Sequence, residues 1–318
     1  MIPEEARVLL ASENKLSRSV VKTILVNIGF NEVTTAVNYE EIEEGLVSLS
    51  PDMLIFDSSY SLEKMYSLIK KIRHSEFELN PFMTIIALSD GPTEELMEGV
   101  LDNGVDDILT KPYSTGQFLE RITVLIEDRK PFVVTNDYIG PDRRTKERVA
   151  EGEYEGEIEG EVISLIKVPN ALQVLSNNKM NREKFDETVK KVSDEINILK
   201  LERNGVQVTW LVTHVLAGYP KDVNEGLGPK VIEHLIRLQD VMNESGYRLV
   251  DTPFSHVTNI CEALMRLSEK MLKEPEKVIE KDRKLLAELA NAFRISFKEI
   301  NSGEIAMHIL NATAKSLE

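Results

Sequence analysis

Short apolar runs alternate with segments of helical periodicity from residue 7 to residue 128. The apolar runs, which predict strands, are VLLA (8–11), EVTTAV (32–37), MLIFD (53–57), MTIIALS (83–89) and DILT (107–110). The segments that place apolar residues every three or four positions, and so predict helices, are 17–30, 39–49, 62–74, 93–104 and 115–128. Strands that alternate with helices form parallel sheets covered on both faces. This part of the chain is therefore predicted to be an α/β domain with a doubly wound, five-stranded parallel sheet.

Polar residues suited to phosphoryl chemistry stand at the ends of the predicted strands. Ser12 and Glu13 follow the first strand, Asp57 ends the third, Ser89 ends the fourth and Lys111 follows the fifth. Because ligand sites of open parallel sheets lie beyond the carboxyl ends of the strands, we expect these side chains to converge. Carboxylate oxygens suit Mg²⁺, and a lysine with a hydroxyl can hold phosphoryl oxygens. Helix capping or solvation explains any one of these residues, but not all of them at successive strand ends.

The pattern resembles a response-regulator receiver domain over residues 7–128, which implies a flavodoxin-like fold. The residues that carry the resemblance are Glu13 in LLASEN, Asp57 in PDMLIFD, Ser89 in IIALSD and Lys111 in LTKPY. The resemblance implies that Asp57 accepts a phosphoryl group from a histidine kinase or phosphotransfer protein. It implies that Lys111 and Ser89 contact that group, and that the peptide Lys111–Pro112 is cis. It also implies that Glu13, Asp57 and the backbone carbonyl of Ser59 bind Mg²⁺.

Three positions depart from the pattern of the family. Ser12 stands where the family has the first of two adjacent acids, so we expect weaker Mg²⁺ binding rather than its loss. The segment SSYS (58–61) follows Asp57 where the family often has Met or Leu and then Pro and Gly. Ile108 occupies the aromatic switch position and has no hydroxyl group. These departures leave open a second interpretation, a degenerate receiver that acts without phosphorylation.

The distribution of charge predicts three parts: a receiver domain (1–130), an extension with an acidic linker (131–165) and a helical output or interaction domain (166–318). Residues 1–130 hold 23 acidic and 12 basic residues, whereas residues 166–318 hold 22 of each. The run EGEYEGEIEGE (151–161) alternates glutamate with glycine, which predicts a mobile linker, with an edge strand as the alternative.

The extension contains the sequence YIGPDRR (138–144). PFVV (131–134) is a candidate for one more strand, and GPDR (140–143) has the residues of a turn. Arg143 and Arg144 form a candidate clamp for a carboxylate or phosphate, although pairing with nearby acids is the simpler explanation.

The residues from about 168 onward predict an antiparallel helical bundle. The predicted helices are 182–203, ended by Gly205; 228–245, ended near Gly246; and 255–273, 276–300 and 303–317. The segment 206–219 is apolar and β-branched, so it fits either a buried helix or a strand.

The second half offers little chemistry. His256 is the best formal candidate for a phosphotransfer histidine, but it fits an ordinary structural histidine better, and Cys261 lies on an apolar helix face. Glu187 or Glu195 with Asn197 is too generic a pair to indicate a phosphatase. The leading interpretation is a helical protein-interaction domain with an unknown target, able to form a homodimer. An atypical transcription regulator is the alternative, and no enzyme activity is expected beyond self-phosphorylation from a phosphodonor.

Composition restricts where the chain acts. The sequence has one cysteine, which excludes a disulfide framework and fits a reducing cytoplasm. It has no apolar stretch of the roughly 20 residues that span a membrane. The net charge of −16 makes general nucleic-acid binding unfavourable, because the phosphate backbone repels it.

Overall fold

The computed structural model describes residues 1–57, 60–75, 79–91, 99, 102–143, 164–177, 181–220, 226–250 and 252–297. These residues belong to two compact units, one up to Ile196 and the other from Asn197 onward. Ser59, Arg144, most of the predicted helix 93–104, the acidic run 151–161 and the predicted helix 303–317 lie outside the described residues.

The first unit is built on a parallel sheet whose order is β2-β1-β3-β4-β5. Its strands are β1 (Arg7–Ala11), β2 (Glu32–Ala36), β3 (Met53–Asp57), β4 (Thr84–Ser89) and β5 (Asp107–Thr110). The register pairs Asp57 with Leu88 and Ser89 with Thr110, so these strands end at the same edge. This order confirms the predicted doubly wound, flavodoxin-like fold.

Helices cover both faces of the sheet. They are α1 (Lys15–Ile28), α2 (Tyr39–Leu49), α3 (Leu62–Arg73) and α4 (Thr115–Glu127). Successive strand residues point to opposite faces, so Leu10 packs in one apolar cluster with Phe118, and Leu9 packs in the other with Met65. All four side chains are buried, as expected for a parallel sheet covered on both sides.

The extension adds a second sheet of three antiparallel strands. These are β6 (Phe132–Val134), β7 (Ile139–Pro141) and β8 (Ser164–Ile166), in the order β7-β6-β8. The strand predicted at PFVV is therefore confirmed. The turn predicted at GPDR was wrong: Gly140 and Pro141 lie in β7, and the chain reverses earlier, where Thr135 N–H donates to the Tyr138 carbonyl at 2.8 Å.

A buried ionic network lies next to the extension. Arg73 Nη2 is 2.9 Å from Asp106 Oδ2, and Arg129 Nε is 2.8 Å from Asp106 Oδ1. The centre of each guanidinium lies 5.1 Å from the centroid of the Phe132 ring, so β6 lines this network. Arg143 donates to the backbone carbonyl of Val105 and, at 2.6 Å, to that of Asp106. Among the residues that the structure describes, Arg143 therefore contacts main-chain carbonyls of the Val105–Asp106 segment.

Residues after the extension also pack within the first unit. Helix α5 (Ala171–Ser176) places Leu172 in the apolar cluster that contains Phe118, and Asn170 Nδ2 donates to the Leu125 carbonyl at 2.7 Å. Helix α6 (Arg182–Gly218) begins at Arg182, which pairs with Asp52. The predicted domain start at residue 166 stays a prediction, and the structure counts residues 164–177 and 181–196 with the first unit.

The second unit is helical, as predicted. Besides the rest of α6 it contains α7 (Pro229–Leu249), α8 (Thr258–Lys273) and α9 (Glu280–Ile295). Two glycines predicted to end helices lie inside them: Gly205 in α6 and Gly246 in α7. A Cβ on Gly205 would lie 3.0 Å from Arg294 Cα, so this glycine permits close approach to α9 instead of ending a helix. Residues 206–218 are thus helical, which settles the alternative left open.

Candidate functional site

The candidate site lies at the carboxyl edge of the five-stranded sheet. Ser12 and Glu13 directly follow β1, Asp57 and Ser89 end β3 and β4, and Lys111 follows β5. The parallel register brings these strand ends together, as the sequence predicted. The peptide Lys111–Pro112 is cis.

Asp57 is the centre of the site, and its side chain is 0% exposed. Lys111 Nζ donates to both carboxylate oxygens, at 3.0 Å to Oδ1 and 2.8 Å to Oδ2. The hydroxyl of Ser17 donates to Oδ2 at 2.9 Å, and that of Ser12 lies 3.3 Å from the same oxygen. A buried carboxylate requires such donors, because an unpaired buried charge is strongly destabilising. The arrangement fixes the orientation of the Asp57 carboxylate.

The ammonium group of Lys111 contacts two acidic side chains. Its Nζ lies 2.8 Å from Asp57 Oδ2 and 3.1 Å from Oδ1 of the exposed Asp90. Burial acts to lower the pKa of Lys111, but the hydrogen bonds to Asp57 and Asp90 outweigh it and raise that pKa. Lys111 is therefore a permanent positive charge at the site at neutral pH.

Ser89 is close to the site but contacts its own loop. Its hydroxyl donates to the Gly91 carbonyl at 2.5 Å and accepts from the Gly91 N–H at 3.1 Å. Ser89 itself is buried at the end of β4.

Glu13 is the exposed acid of the site. The charges of Glu13 and Asp57 both act on the buried Tyr60, whose pKa is raised by burial first and by these carboxylates in addition. Ser12, which replaces an acid, is fully buried and carries no charge. Arg18 Nη1 donates to the Ser12 carbonyl at 2.5 Å and brings a positive charge to this side of the site.

Sequence reasoning missed Ser17 and Asp90. Ser17 lies in the first turn of α1, where Asn14 caps the helix by accepting from the Ser17 N–H at 3.1 Å. A hydroxyl one turn after a strand-end acid is a usable signal, since the first turn of the following helix faces the same edge. Asp90 directly follows Ser89 and was visible in the motif IIALSD.

Two other candidates, Cys261 and His256, belong to the second unit. Cys261 is buried in the second unit, and burial raises the pKa of its thiol to about 12, so it is not poised as a nucleophile. His256 lies in a short 3₁₀ turn, Ser255–Val257. Within the described ranges, no group of three or more His, Cys, Asp or Glu residues could hold a metal ion, and no helix could cross a membrane.

The family model for the response regulator receiver domain matches residues 8–123, which contain the whole of this strand-end site. Residues 8–123 form a response regulator receiver domain. The match begins in β1 and ends in α4, so it includes all five parallel strands of the receiver domain.

Curated relatives agree with this identification. The transcriptional regulatory protein KdpE of Staphylococcus aureus is 25% identical over 197 residues, which is 59% of this chain and 78% of KdpE. The chemotaxis protein CheY of Bacillus subtilis is 25% identical over 116 residues, or 36% of this chain and 93% of CheY. The alignment with CheY has the length of one receiver domain.

Among solved structures, the receiver domain of a sensor histidine kinase from Pseudomonas aeruginosa PAO1 is 24% identical. It covers 37% of this chain and 94% of that chain, with a TM-score of 0.32. That protein was solved with a magnesium ion coordinated in its active site cleft.

Proposed function

We propose that this chain is a two-component response regulator in which Asp57 accepts a phosphoryl group and thereby controls the helical region beyond the receiver domain. The observation that carries the proposal is the pair formed by Lys111 Nζ and Asp57 Oδ2, 2.8 Å apart at the end of β3. A carboxylate held beside an ammonium group can attack phosphorus, while the ammonium group neutralises charge on the phosphoryl oxygens.

In the proposed reaction one carboxylate oxygen of Asp57 forms a bond to phosphorus. The bond between phosphorus and the donor's leaving group breaks, and its electron pair leaves with that group, the imidazole of a phosphohistidine. Asp57 becomes an acyl phosphate. Lys111, whose side chain is 24% exposed, then exchanges its contact with the carboxylate for one with phosphoryl oxygens. Ser89, whose hydroxyl donates to the Gly91 carbonyl, exchanges that acceptor for a phosphoryl oxygen.

The residues present fit a weakly held Mg²⁺ ion. Asp57 supplies a buried carboxylate and Glu13 an exposed one, and Mg²⁺ commonly takes only one or two carboxylates and keeps several waters. Ser12 offers a hydroxyl in place of a third carboxylate, and Arg18 brings a positive charge to its carbonyl, so affinity should be lower than with an acid at position 12. The ion would neutralise phosphoryl charge. The carbonyl of Ser59 stays a proposed ligand.

One observation favours the degenerate alternative. Ser12 Oγ lies 3.3 Å from Asp57 Oδ2. This uncharged hydroxyl, together with Lys111, stabilises the carboxylate without a metal ion. A receiver stabilised in this way could act as a scaffold without phosphorylation. The two proposals differ in one measurable property, the ability of Asp57 to become phosphorylated.

The remaining alternative is an atypical transcription regulator. It is suggested by KdpE, a transcriptional regulatory protein that aligns with more than half of this chain. Against it, residues 166–318 hold 22 acidic and 22 basic residues, and a DNA-binding surface normally carries an excess of bases. We therefore propose a protein target for the helical region, a histidine kinase or phosphotransfer protein as phosphodonor, and action as a cytoplasmic signalling module rather than an enzyme.

The test uses the purified full chain, acetyl phosphate as donor and Mg²⁺. Intact-mass spectrometry should show the addition of one phosphoryl group to the wild-type chain and none to Asp57→Asn. Ser89→Ala serves as the control that keeps the nucleophile, and it should slow the addition without abolishing it. A wild-type chain that gains no mass at saturating Mg²⁺ would establish the degenerate alternative.

A further inference from the structure

Lys111 lies between two carboxylates that differ in their exposure to solvent. Its Nζ is 2.8 Å from Oδ2 of Asp57, whose side chain is 0% exposed, and 3.1 Å from Oδ1 of Asp90, whose side chain is 75% exposed. A lysine ammonium group has three protons to donate, and two hydrogen bonds to Asp57 with the contact to Asp90 match that number. The two acids are thus separated by a single ammonium group that they share.

The main chain places Asp90 beside Lys111. Asp90 directly follows Ser89, the last residue of β4, and the register pairs Ser89 with Thr110 of β5. The Lys111 N–H donates to the Ser89 carbonyl at 2.7 Å, so the two strands are still joined where Asp90 and Lys111 leave them. The contact between these two side chains therefore follows from strand pairing, although Asp90 itself is exposed.

The pair formed by Asp90 and Lys111 contributes little to the stability of the fold. Exposed ion pairs are weak, because water and dissolved salt screen the two charges. The effect of Asp90 is instead on the ammonium group, whose pKa its hydrogen bond raises together with those of Asp57. Asp90 therefore occupies part of the donor capacity of Lys111 without being required for folding.

A phosphoryl group on Asp57 would bring more negative charge than the carboxylate that it replaces. A phosphorylated side chain carries about −1.5 to −2 charges at neutral pH, whereas a carboxylate carries a single one. Lys111 must then neutralise phosphoryl oxygens, and a proton that it donates to Asp90 is not available to them. Asp90 also repels the phosphodonor, since acetyl phosphate and phosphohistidine are both anions. Both effects oppose phosphorylation.

From this arrangement we infer that Asp90 is a positioning residue that limits the phosphorylation of Asp57, because it holds Lys111 and repels the phosphodonor. The inference rests on the proposed function and adds to it a residue that sets how readily the site reacts. It also fixes a sign: removal of the Asp90 charge accelerates phosphorylation, whereas an acid needed to aim Lys111 would slow it when removed.

The test uses the full chain at saturating Mg²⁺ with limiting acetyl phosphate. Asp90→Asn keeps the shape of the side chain without its charge, and intact-mass spectrometry should show phosphorylation about threefold to tenfold faster than in wild type, as expected for a nearby screened charge. Asp90→Glu, the conservative variant, restores the charge and should return the slow rate. The matched control is Glu127→Gln, which removes an exposed charge at the far end of α4 and should leave the rate unchanged.

Two further readouts separate an electrostatic effect from a general structural one. Added salt should narrow the difference between wild type and Asp90→Asn, because it screens an exposed charge. The free energy of unfolding in urea should be the same for the two proteins. If phosphorylation occurs, an unchanged or slower rate in Asp90→Asn, or an acceleration that salt does not reduce, overturns the inference.

A second arm needs no phosphoryl transfer. Asp57→Asn removes the nucleophile, and sulfate, a dianion with the shape of phosphate, is then the probe of the anion site at Lys111. Amide NMR shifts of Ser89 and Lys111 report its binding, which should be several-fold tighter when Asp57→Asn is combined with Asp90→Asn. If acetyl phosphate modifies no variant but sulfate shows this difference, the proposed function fails and the role of Asp90 stands. Equal binding of sulfate, or none in either protein, overturns the inference.

Discussion

Arg182 binds Asp52 through two nitrogen atoms, with Nη1 2.5 Å from Oδ1 and Nη2 3.0 Å from Oδ2. Asp52 directly precedes β3, the strand that ends at Asp57. The first turn of α6 is therefore attached to the strand that carries the phosphoacceptor. The hydrogen bonds to Asp52 raise the pKa of Arg182, so its guanidinium stays charged at neutral pH.

Arg182→Ala should destabilise the first unit by about 1–3 kcal/mol, because the charge-assisted hydrogen bonds to a buried carboxylate are lost. Arg182→Lys should recover only part of this, since lysine cannot bind both oxygens in the same way. The measurement is the free energy of unfolding in urea, with hydrogen exchange of peptides that contain β3 as the readout. The matched control is Arg121→Ala, whose side chain is 54% exposed and 3.6 Å from Asp107, and it should change little. Equal effects of the two alanines would refute this role of Arg182.

The network around Asp106 predicts a loss of stability in acid. Burial acts to raise the pKa of Asp106, but Arg129 and Arg73 outweigh it and lower that pKa. The unfolded carboxyl titrates near pH ~4, so the network contributes fully above that value and its contribution is lost as pH falls through the lower folded pKa. Burial of Arg73 lowers the pKa of its guanidinium to about 10, which still leaves it charged at neutral pH.

Asp106→Asn tests this network at neutral pH. It leaves Arg73 and Arg129 without their carboxylate and should cost about 3–5 kcal/mol, the range for breaking a buried ion pair. The neighbouring Asp107→Asn is the control, because Asp107 is only half-buried and its arginine partner is exposed. In thermal unfolding from pH 3 to pH 7, Asp106→Asn should lose less stability on acidification than wild type does. An unchanged pH profile would mean that other carboxyl groups cause the acid loss.

The alternation of strands and helices predicted the receiver domain well because its central strands β3 and β4 are buried on both faces and its described helices are amphipathic. Asp57, Ser89 and Lys111 could be placed for the same reason: chain order alone determines which residues end parallel strands. The contact of Ser17 with Asp57 leaves a weaker signal, a hydroxyl one turn after a strand-end acid, because it depends on where the first turn of α1 lies relative to the end of β3.

In the extension and in the helical second unit, the local sequence does not predict the observed structure. The strands β6 and β8 are three residues each and pair across more than twenty-five residues of chain, so no local periodicity marks β8. Glycine is typical of a helix end, but Gly205 lies inside α6 because Arg294, almost ninety residues later, packs closely against it. In both cases a long-range contact decides the local structure, which a single sequence does not reveal.

Ser12→Asp should increase Mg²⁺ affinity several-fold, since it adds a carboxylate next to a hard cation. Ser12→Asn is the matched control: it has the same shape as aspartate without the charge and should leave affinity near that of wild type. Mg²⁺ titration followed by amide NMR shifts of the full chain gives the dissociation constants. If aspartate and asparagine behave alike, charge at position 12 does not act on the ion.

The most direct test of the central claim is to locate the phosphoryl group on the chain. After reaction with acetyl phosphate and Mg²⁺, borohydride reduction converts a phosphorylated aspartate to homoserine, which peptide sequencing by mass spectrometry identifies. We predict homoserine at position 57 in the wild-type chain, with unmodified residues at position 13 and position 90, and none at any of the three in Asp57→Asn. Homoserine at another acid with Asp57 unmodified, or at no position, would contradict the account.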